Sequence, residues 1–298
     1  MAKKWTKEEI NILKKNWSKV RCIPELTTLL PNRNCRAIGL KGWKIKLLNR
    51  NSFKGGYVNP SVNQDFFKKW SNNMAYILGL LAADGCLTTS GRSHDINLSL
   101  KVDDIDLVEN VKDCIGKKLK VRVRSNRKIV DFRFGCRKMF DDLVKLGITP
   151  RKSLTLKFPK VPDKYLSHFI RGYVDGDGCL CVFSKPSYHR NRFQTSIVGT
   201  YDFLRVLRAK TQKLFDIYIS EVKSYKRCNK LFNITMCSQN ALKFCDWIYK
   251  DADLKLDRKY KKYLEAKKLY GNSNIKRGNN QYTLAKNWGL KYGDFTSQ

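Results

Sequence analysis

Two nine-residue stretches of this chain spell nearly the same message. Residues 77–85 read ILGLLAADG and residues 170–178 read IRGYVDGDG. Each is an apolar, helix-like run with small residues four apart, Gly79 and Ala83 in the first and Gly172 and Gly176 in the second, and each closes on Asp-Gly. Residues at i and i+4 share one face of a helix. Small residues there let two backbones approach closely, a rule best documented between membrane helices. If the two faces pack together, Asp84 and Asp177 emerge side by side. Gly85 and Gly178 suit the left-handed position just past a helix end. That placement sets both carboxylates at the negative helix pole, where they are disfavoured by a few tenths to ~1 kcal/mol. Two carboxylates so close cannot both stay ionised without a cation or a shared proton. A single such segment reads as a core helix capped by a turn; its recurrence inside a larger repeat favours a cation site.

The larger repeat follows each segment. After the first come strand-like runs at Cys86–Ser90 and Asp95–Lys101, a helix at Asp103–Ile115, strands at Leu119–Ser125 and Ile129–Gly135, and a helix at Arg137–Leu146. After the second come strands at Cys179–Lys185 and Phe193–Gly199, a helix at Tyr201–Phe215, strands at Tyr218–Tyr225 and Leu231–Cys237, and a helix at Gln239–Tyr249. An α-β-β-α-β-β-α unit occurring twice predicts an α+β fold with pseudo-twofold symmetry. The strands alternate: Val121, Val123, Val130, Phe132 and Phe134 oppose Arg122, Arg124, Asp131 and Arg133. In the second copy Phe193, Ile197, Phe232, Ile234 and Met236 oppose Arg192, Gln194, Ser196, Asn233 and Thr235. Each sheet therefore has an apolar face for helices and a face rich in Arg, Gln and Asn, the residue types that read base edges or grip phosphates.

Charge narrows the partner. The chain carries 60 Lys and Arg against 26 Asp and Glu, a formal net charge of +34 over 298 residues. Such an excess repels itself unless a polyanion compensates, and duplex phosphates reward each basic contact by counterion release. There is no run of ~18 apolar residues and no basic helix with a continuous apolar face, which argues against a membrane. With 42% apolar and 12% aromatic residues, the chain can bury a real core. The opening Met1-Ala2-Lys3-Lys4-Trp5 runs straight into a charged helix pattern, not a signal peptide, so a cytoplasmic or nucleoid location is expected. Ten cysteines are scattered through apolar segments without a Cys-x-x-Cys pair. They read as reduced, mostly buried thiols.

Residues 1–50 hold 13 Lys and Arg against Glu8, Glu9 and Glu25. Thr6 and Glu9 form a capping box for a helix through Asn16; a short helix follows at Ile23–Leu30 and a third at Cys35–Leu48. This three-helix unit resembles a Myb/SANT-type helix-turn-helix, whose third helix enters the major groove. That resemblance makes Arg36, Lys41, Lys44 and Lys46 DNA contacts. Residues 51–70, with Gly55-Gly56 and Pro60, read as a linker. The repeats then occupy 71–160 and 161–270, and 271–298 form a basic tail.

The two segments resemble the paired signatures of LAGLIDADG homing endonucleases, in the single-chain, two-motif form. The flanks resemble that family too: Asp65-Phe66-Phe67-Lys68-Lys69-Trp70 leading into Met74-Ala75-Tyr76, and Thr149-Pro150-Arg151-Lys152-Ser153. The likeness spans roughly residues 60 to 270. It implies saddle-shaped antiparallel sheets on double-stranded DNA, and a monomer that cuts both strands across the minor groove to leave short 3′ overhangs. Asp84 and Asp177 would be the catalytic ligands, hard oxygens suited to Mg²⁺, assisted by the backbone carbonyls of Ala83 and Gly176. Lys152 and Lys259 stand where the family keeps an active-site lysine, with Lys157, Lys255 and Lys261 as substitutes. On the sheets, Arg122, Arg124, Arg133, Arg192, Gln194, Lys223 and Asn233 would contact DNA. One departure is Ala82, where the second segment has Asp175. A clustered histidine nuclease is disfavoured because His94, His168 and His189 are far apart. No P-loop is present, and the splicing termini of an intein are missing, so a free-standing or intron-encoded enzyme is expected. The alternative is a non-cleaving binder on the same scaffold, an RNA maturase acting on its host intron or a transcription regulator.

Overall fold

The computed structural model describes residues 5–17, 23–45, 47, 62–90, 93–183, 192–226 and 228–271. Three helices stand at the N-terminal end: α1 (Lys7–Asn16), α2 (Ile23–Leu29) and α3 (Cys35–Lys44). The Thr6 hydroxyl accepts from the Glu9 amide at 3.1 Å, and the Glu9 carboxylate accepts from the Thr6 amide at 2.9 Å. Two orphan N–H groups are satisfied at once. Glu9 also receives Arg33, Nε at 2.8 Å and Nη2 at 2.7 Å, and the guanidinium lies 4.6 Å from the Trp5 ring centre. Leu13, Trp17, Leu26, Leu30 and Ile38 are buried together. α3 stops at Lys44 rather than the expected Leu48, because the Leu47 amide reaches back to the Gly42 carbonyl at 3.0 Å, the wide closure of a helix end. Lys46, residues 51–61 of the expected linker 51–70 and residues 272–298 of the expected tail 271–298 lie outside the described residues.

The rest of the chain repeats itself. The first unit runs α4 (Asn72–Asp84), β1 (Gly85–Ser90), β2 (Ser93–Lys101), α5 (Ile105–Gly116), β3 (Val121–Arg124), β4 (Ile129–Gly135) and α6 (Arg137–Lys145). The second runs α7 (Leu166–Asp177), β5 (Gly178–Phe183), β6 (Arg192–Gly199), α8 (Tyr201–Leu214), β7 (Lys223–Tyr225), β8 (Cys228–Cys237) and α9 (Ser238–Tyr249). Each unit builds an antiparallel sheet of four strands in the same order, β1-β2-β4-β3 and β5-β6-β8-β7. The register repeats as well, Gly85 opposite Leu98 and Gly178 opposite Ile197. A further helix, α10 (Asp257–Gly271), follows the second unit. Where α10 carries Lys259, the first unit has only a short 3₁₀ turn, Lys152–Leu154.

The two signature helices form the seam between the units. α4 is buried from Met74 to Ala82, apolar all round as befits a central helix. A Cβ on Gly79 would sit 2.0 Å from the Phe169 carbonyl, and one on Gly172 would sit 2.0 Å from the Tyr76 carbonyl. Each glycine thus seats the backbone of the other helix. Further along, a Cβ on Gly176 would be 2.3 Å from that of Ala83. The small-residue faces pack on each other as expected.

Three expectations need correction. Gly85 and Gly178 are not left-handed: their φ and ψ are −77° and 150°, and −93° and 159°. They are glycines because a Cβ would lie 2.5 Å from the Leu81 carbonyl in one case and 2.4 Å from the Val174 carbonyl in the other. The chain passes from helix to strand without a turn residue, so backbone crowding sets the requirement. Val123 is exposed rather than packed, since β3 is an edge strand paired only with β4. Among the described cysteines only Cys136 and Cys245 are buried, whereas Cys86, Cys179, Cys181 and Cys237 are exposed. Their strand positions fall on polar faces, opposite buried Leu87, Leu180 and Met236.

Candidate functional site

Asp84 ends α4 and Asp177 ends α7, and the seam brings them together. A Cβ on Gly176 would lie 2.9 Å from Asp84 Oδ2, so the Asp84 carboxylate rests on the α7 backbone one residue before Asp177. Desolvation by the surrounding protein raises the Asp84 carboxyl, against the pull of Lys259 and Lys152. Asp177 is pushed up to about 6, first by desolvation and then by the negative charge of Asp84. Its side chain remains exposed, as a carboxylate does when crowded from below and open to solvent above.

Lys152 and Lys259 occupy the same place in the two halves, beneath the helix ends. Lys152 Nζ donates to the Gly85 carbonyl at 2.6 Å and the Ala83 carbonyl at 3.3 Å. Lys259 Nζ donates to Val174 and Asp175 at 2.7 Å each, to Gly178 at 2.6 Å and to Gly176 at 3.3 Å. The last carbonyls of a helix have no intrahelical partner, and a cation there complements the dipole. Both lysines are buried. Desolvation lowers them, Lys259 to about 8, while the nearby aspartates pull the other way. Two ammonium groups of the same chain thus oppose the penalty expected for carboxylates at helix C-termini, although desolvation leaves both carboxyls raised.

The donor set fits a hard divalent cation. Asp84 and Asp177 each follow directly on a carbonyl, that of Ala83 or Gly176, and in each half that carbonyl is the lysine's longest contact, 3.3 Å. Four oxygens of this kind suit Mg²⁺ or Ca²⁺, with water and phosphate completing the shell. Among the described residues, His, Cys, Asp and Glu do not gather in groups of three or more, so a cation would depend on those carbonyls and on substrate.

Three features were not foreseen from the sequence. Buried Asp175 accepts from the Tyr76 hydroxyl at 2.7 Å, the Tyr249 hydroxyl at 3.2 Å and the Leu256 amide at 2.9 Å. It ties α4, α9 and the approach to α10 onto α7, and desolvation raises it to about 6. Its counterpart Ala82 is simply apolar and buried. Arg171, also buried, donates to the Leu254 carbonyl at 2.9 Å and the Ile248 carbonyl at 2.7 Å, securing the segment that delivers Lys259. Arg258 donates through Nε to Asp104 at 3.1 and 3.3 Å. Asp104 is buried, while the Arg258 side chain is 50% exposed. It helps draw the Asp84 carboxyl down. Among the described residues its Nη1 and Nη2 carry no hydrogen bond. An Arg and an Asp four apart within an apolar helix was the one signal that could have exposed Arg171 and Asp175.

The sheet residues fall as follows. Arg122 and Lys223 are exposed. Arg133 donates to Asp95 at 2.8 Å, and Arg124 pairs with buried Asp131. Arg192, Gln194 and Asn233 are half-buried on the polar face of the second sheet, with Asn233 opposite Lys223. Arg36 and Lys44 on α3 are exposed, and Lys41 lies 5.9 Å from the Trp5 ring centre.

No protein-family model matches the sequence, and no curated protein matches it. Among solved structures, the chain is similar to the I-LtrWI LAGLIDADG homing endonuclease bound to target DNA, with 13% identity, a TM-score of 0.46, and coverage of 75% of this chain and 96% of that one. It is similar to LAGLIDADG homing endonuclease I-GzeII in complex with its DNA target, with 11% identity, a TM-score of 0.48, and coverage of 73% and 97%. It is similar to I-SmaMI bound to uncleaved DNA target in the presence of calcium ions, with 11% identity, a TM-score of 0.49, and coverage of 74% and 98%.

Proposed function

We propose that this chain is a site-specific DNA endonuclease of the homing type, a monomer in which Asp84 and Asp177 each serve one strand of a duplex. The observation that supports this reading is the meeting of α4 and α7, which rests the Asp84 carboxylate on Gly176 and within the electrostatic reach of Asp177. Asp84, Asp177 and the carbonyls of Ala83 and Gly176 would hold Mg²⁺, which would supply Lewis-acid polarisation of a phosphate oxygen and a more acidic water. Lys152 and Lys259 fix the carbonyls of Ala83 and Gly176 and limit repulsion between the aspartates. Arg258, steered by Asp104, offers Nη1 and Nη2 to the scissile phosphate, a charge-assisted and directional grip. Arg122, Arg124, Arg133, Arg192, Gln194, Lys223 and Asn233 contact phosphates and base edges along the duplex. Cleavage across the minor groove leaves short 3′ overhangs. At the N-terminal end α3 docks in a major groove through Arg36, Lys41, Lys44 and Lys46, in helix-turn-helix fashion.

The test is Mg²⁺-dependent digestion of a randomised duplex library, with sequencing of the ends. One recurring long site with 3′ overhangs, lost in Asp84→Asn and Asp177→Asn, supports the reading. No cut ends with any divalent cation defeats it. A specific observation keeps a second reading: Lys152 and Lys259 draw both aspartate carboxyls down, although desolvation leaves them raised, so the chain itself supplies part of the positive charge the aspartates need. That second reading is a non-cleaving binder, whether an RNA maturase on its host intron or a transcription regulator. Affinity for intron RNA compared with the intron-free DNA junction separates the two.

A further inference from the structure

The second sheet carries a thiol pair that the cleavage chemistry does not use. Cys179 and Cys181 stand on β5 on either side of Leu180, which is buried while both cysteines are exposed. Alternate residues of a strand project from one face, here the polar face. Their Sγ atoms lie 3.3 Å apart. Cys181 is opposite Gln194, which is opposite Cys237 on the next strand. The first sheet has no such pair: Cys86 takes the place of Cys179, but Thr88 takes that of Cys181. Buried Cys245 contrasts with both, packed beneath the sheet beside Thr195 at 3.6 Å.

We propose that Cys179 and Cys181 are a redox modification site, a dithiol that low-molecular-weight disulfides convert into an intrachain disulfide. One thiol loses its proton to solvent and attacks a sulfur of the small disulfide. That S–S bond breaks, a mixed disulfide forms on the protein, and the departing thiolate is protonated. The second thiol, deprotonated likewise, attacks the protein sulfur of the mixed disulfide and expels the other small thiolate. The two cysteines are oxidised and one small disulfide is reduced to two thiols. Two residues of a strand at ~3.3 Å rise place their Cα atoms ~6.6 Å apart, at the upper end of the roughly 4.4–6.8 Å that disulfides span, and closing the bridge bends β5 locally to bring the two Cβ atoms to about 4 Å. A bridge closed near that limit reopens readily under thiol.

The inference is independent of the nuclease reading, and so is its test. The full chain is incubated with oxidised glutathione, remaining thiols are alkylated, and proteolytic peptides are weighed. The peptide holding Cys179 and Cys181 should escape alkylation at both positions and be lighter by two hydrogen atoms, while Cys86 carries alkyl group or glutathione. In Cys181→Ser, Cys179 should instead retain glutathione, because no second thiol expels it. The proposal is overturned if the wild-type peptide keeps a stable glutathione adduct, or is alkylated at both cysteines as completely as Cys86.

Discussion

Asp177 is held in the native chain with its carboxyl raised, at a cost to stability that depends on pH. Its carboxyl sits at about 6, so the native chain holds a proton there at pH values where an unfolded carboxylate, near about 4, has lost it. Native stability therefore falls as pH climbs from about 4 through about 6. Asp177→Asn should raise the melting temperature by ~2 °C or more near neutral pH and leave it unchanged at about pH 4, which calorimetry at the two values would show. The same substitution should lower cleavage of one strand by at least about 100-fold and leave nicked product, with duplex affinity retained. Asp84→Asn should do the same on the other strand. Full-rate double-strand cutting by both variants would remove the aspartates from the mechanism. Lys259 was legible in sequence as a basic residue near the site, but its partners were not. Those are carbonyls of α7 far along the chain, and nothing in a local pattern announces a backbone oxygen. Lys259→Met leaves them buried and unpaired, at a cost of about 3 kcal/mol, to be read as a lower denaturant midpoint. Lys152→Met should cost less, since Lys152 serves fewer oxygens.

At the scale of elements, α4 and α7 were the most readable part of the sequence, because a repeated pattern of small residues states a packing mode twice. Their contact predicts that Gly79→Ala or Gly172→Ala costs about 3 kcal/mol of unfolding free energy, since the added methyl meets a backbone carbonyl that cannot yield like a side chain. Less readable was how the halves are bolted together. Arg258 in α10 and Asp104 before α5 belong to different repeats, as do Tyr76 in α4 and Asp175 in α7. Such pairs follow from tertiary placement and leave no periodicity behind. The departure at Ala82 is an example: from sequence it is a missing acid, whereas in the fold its counterpart Asp175 is a structural hub. The glycine after each aspartate was legible as a requirement and misread in cause, since crowding against the preceding turn and a positive φ call for the same residue.

For the molecule as a whole, the net charge of +34 predicts that the proposed duplex affinity is steeply salt-dependent. With six to ten phosphate contacts, binding should weaken by roughly 10³–10⁵ between about 50 and 200 mM salt, measurable by fluorescence anisotropy. A triple variant, Arg36→Ala, Lys41→Ala and Lys44→Ala, should weaken binding of any duplex and flatten the salt slope by about three; an unchanged slope would detach α3 from the DNA. Composition states the charge excess, but not the carboxylates that hold the arginines, Asp95 under Arg133 and Asp131 under Arg124. The reciprocal seating of Gly79 and Gly172 has a hereditary consequence. Neither half can gain bulk along that line unless the other withdraws, so descendants are free to rewrite their outward strands while the shared axis stays frozen in both copies together.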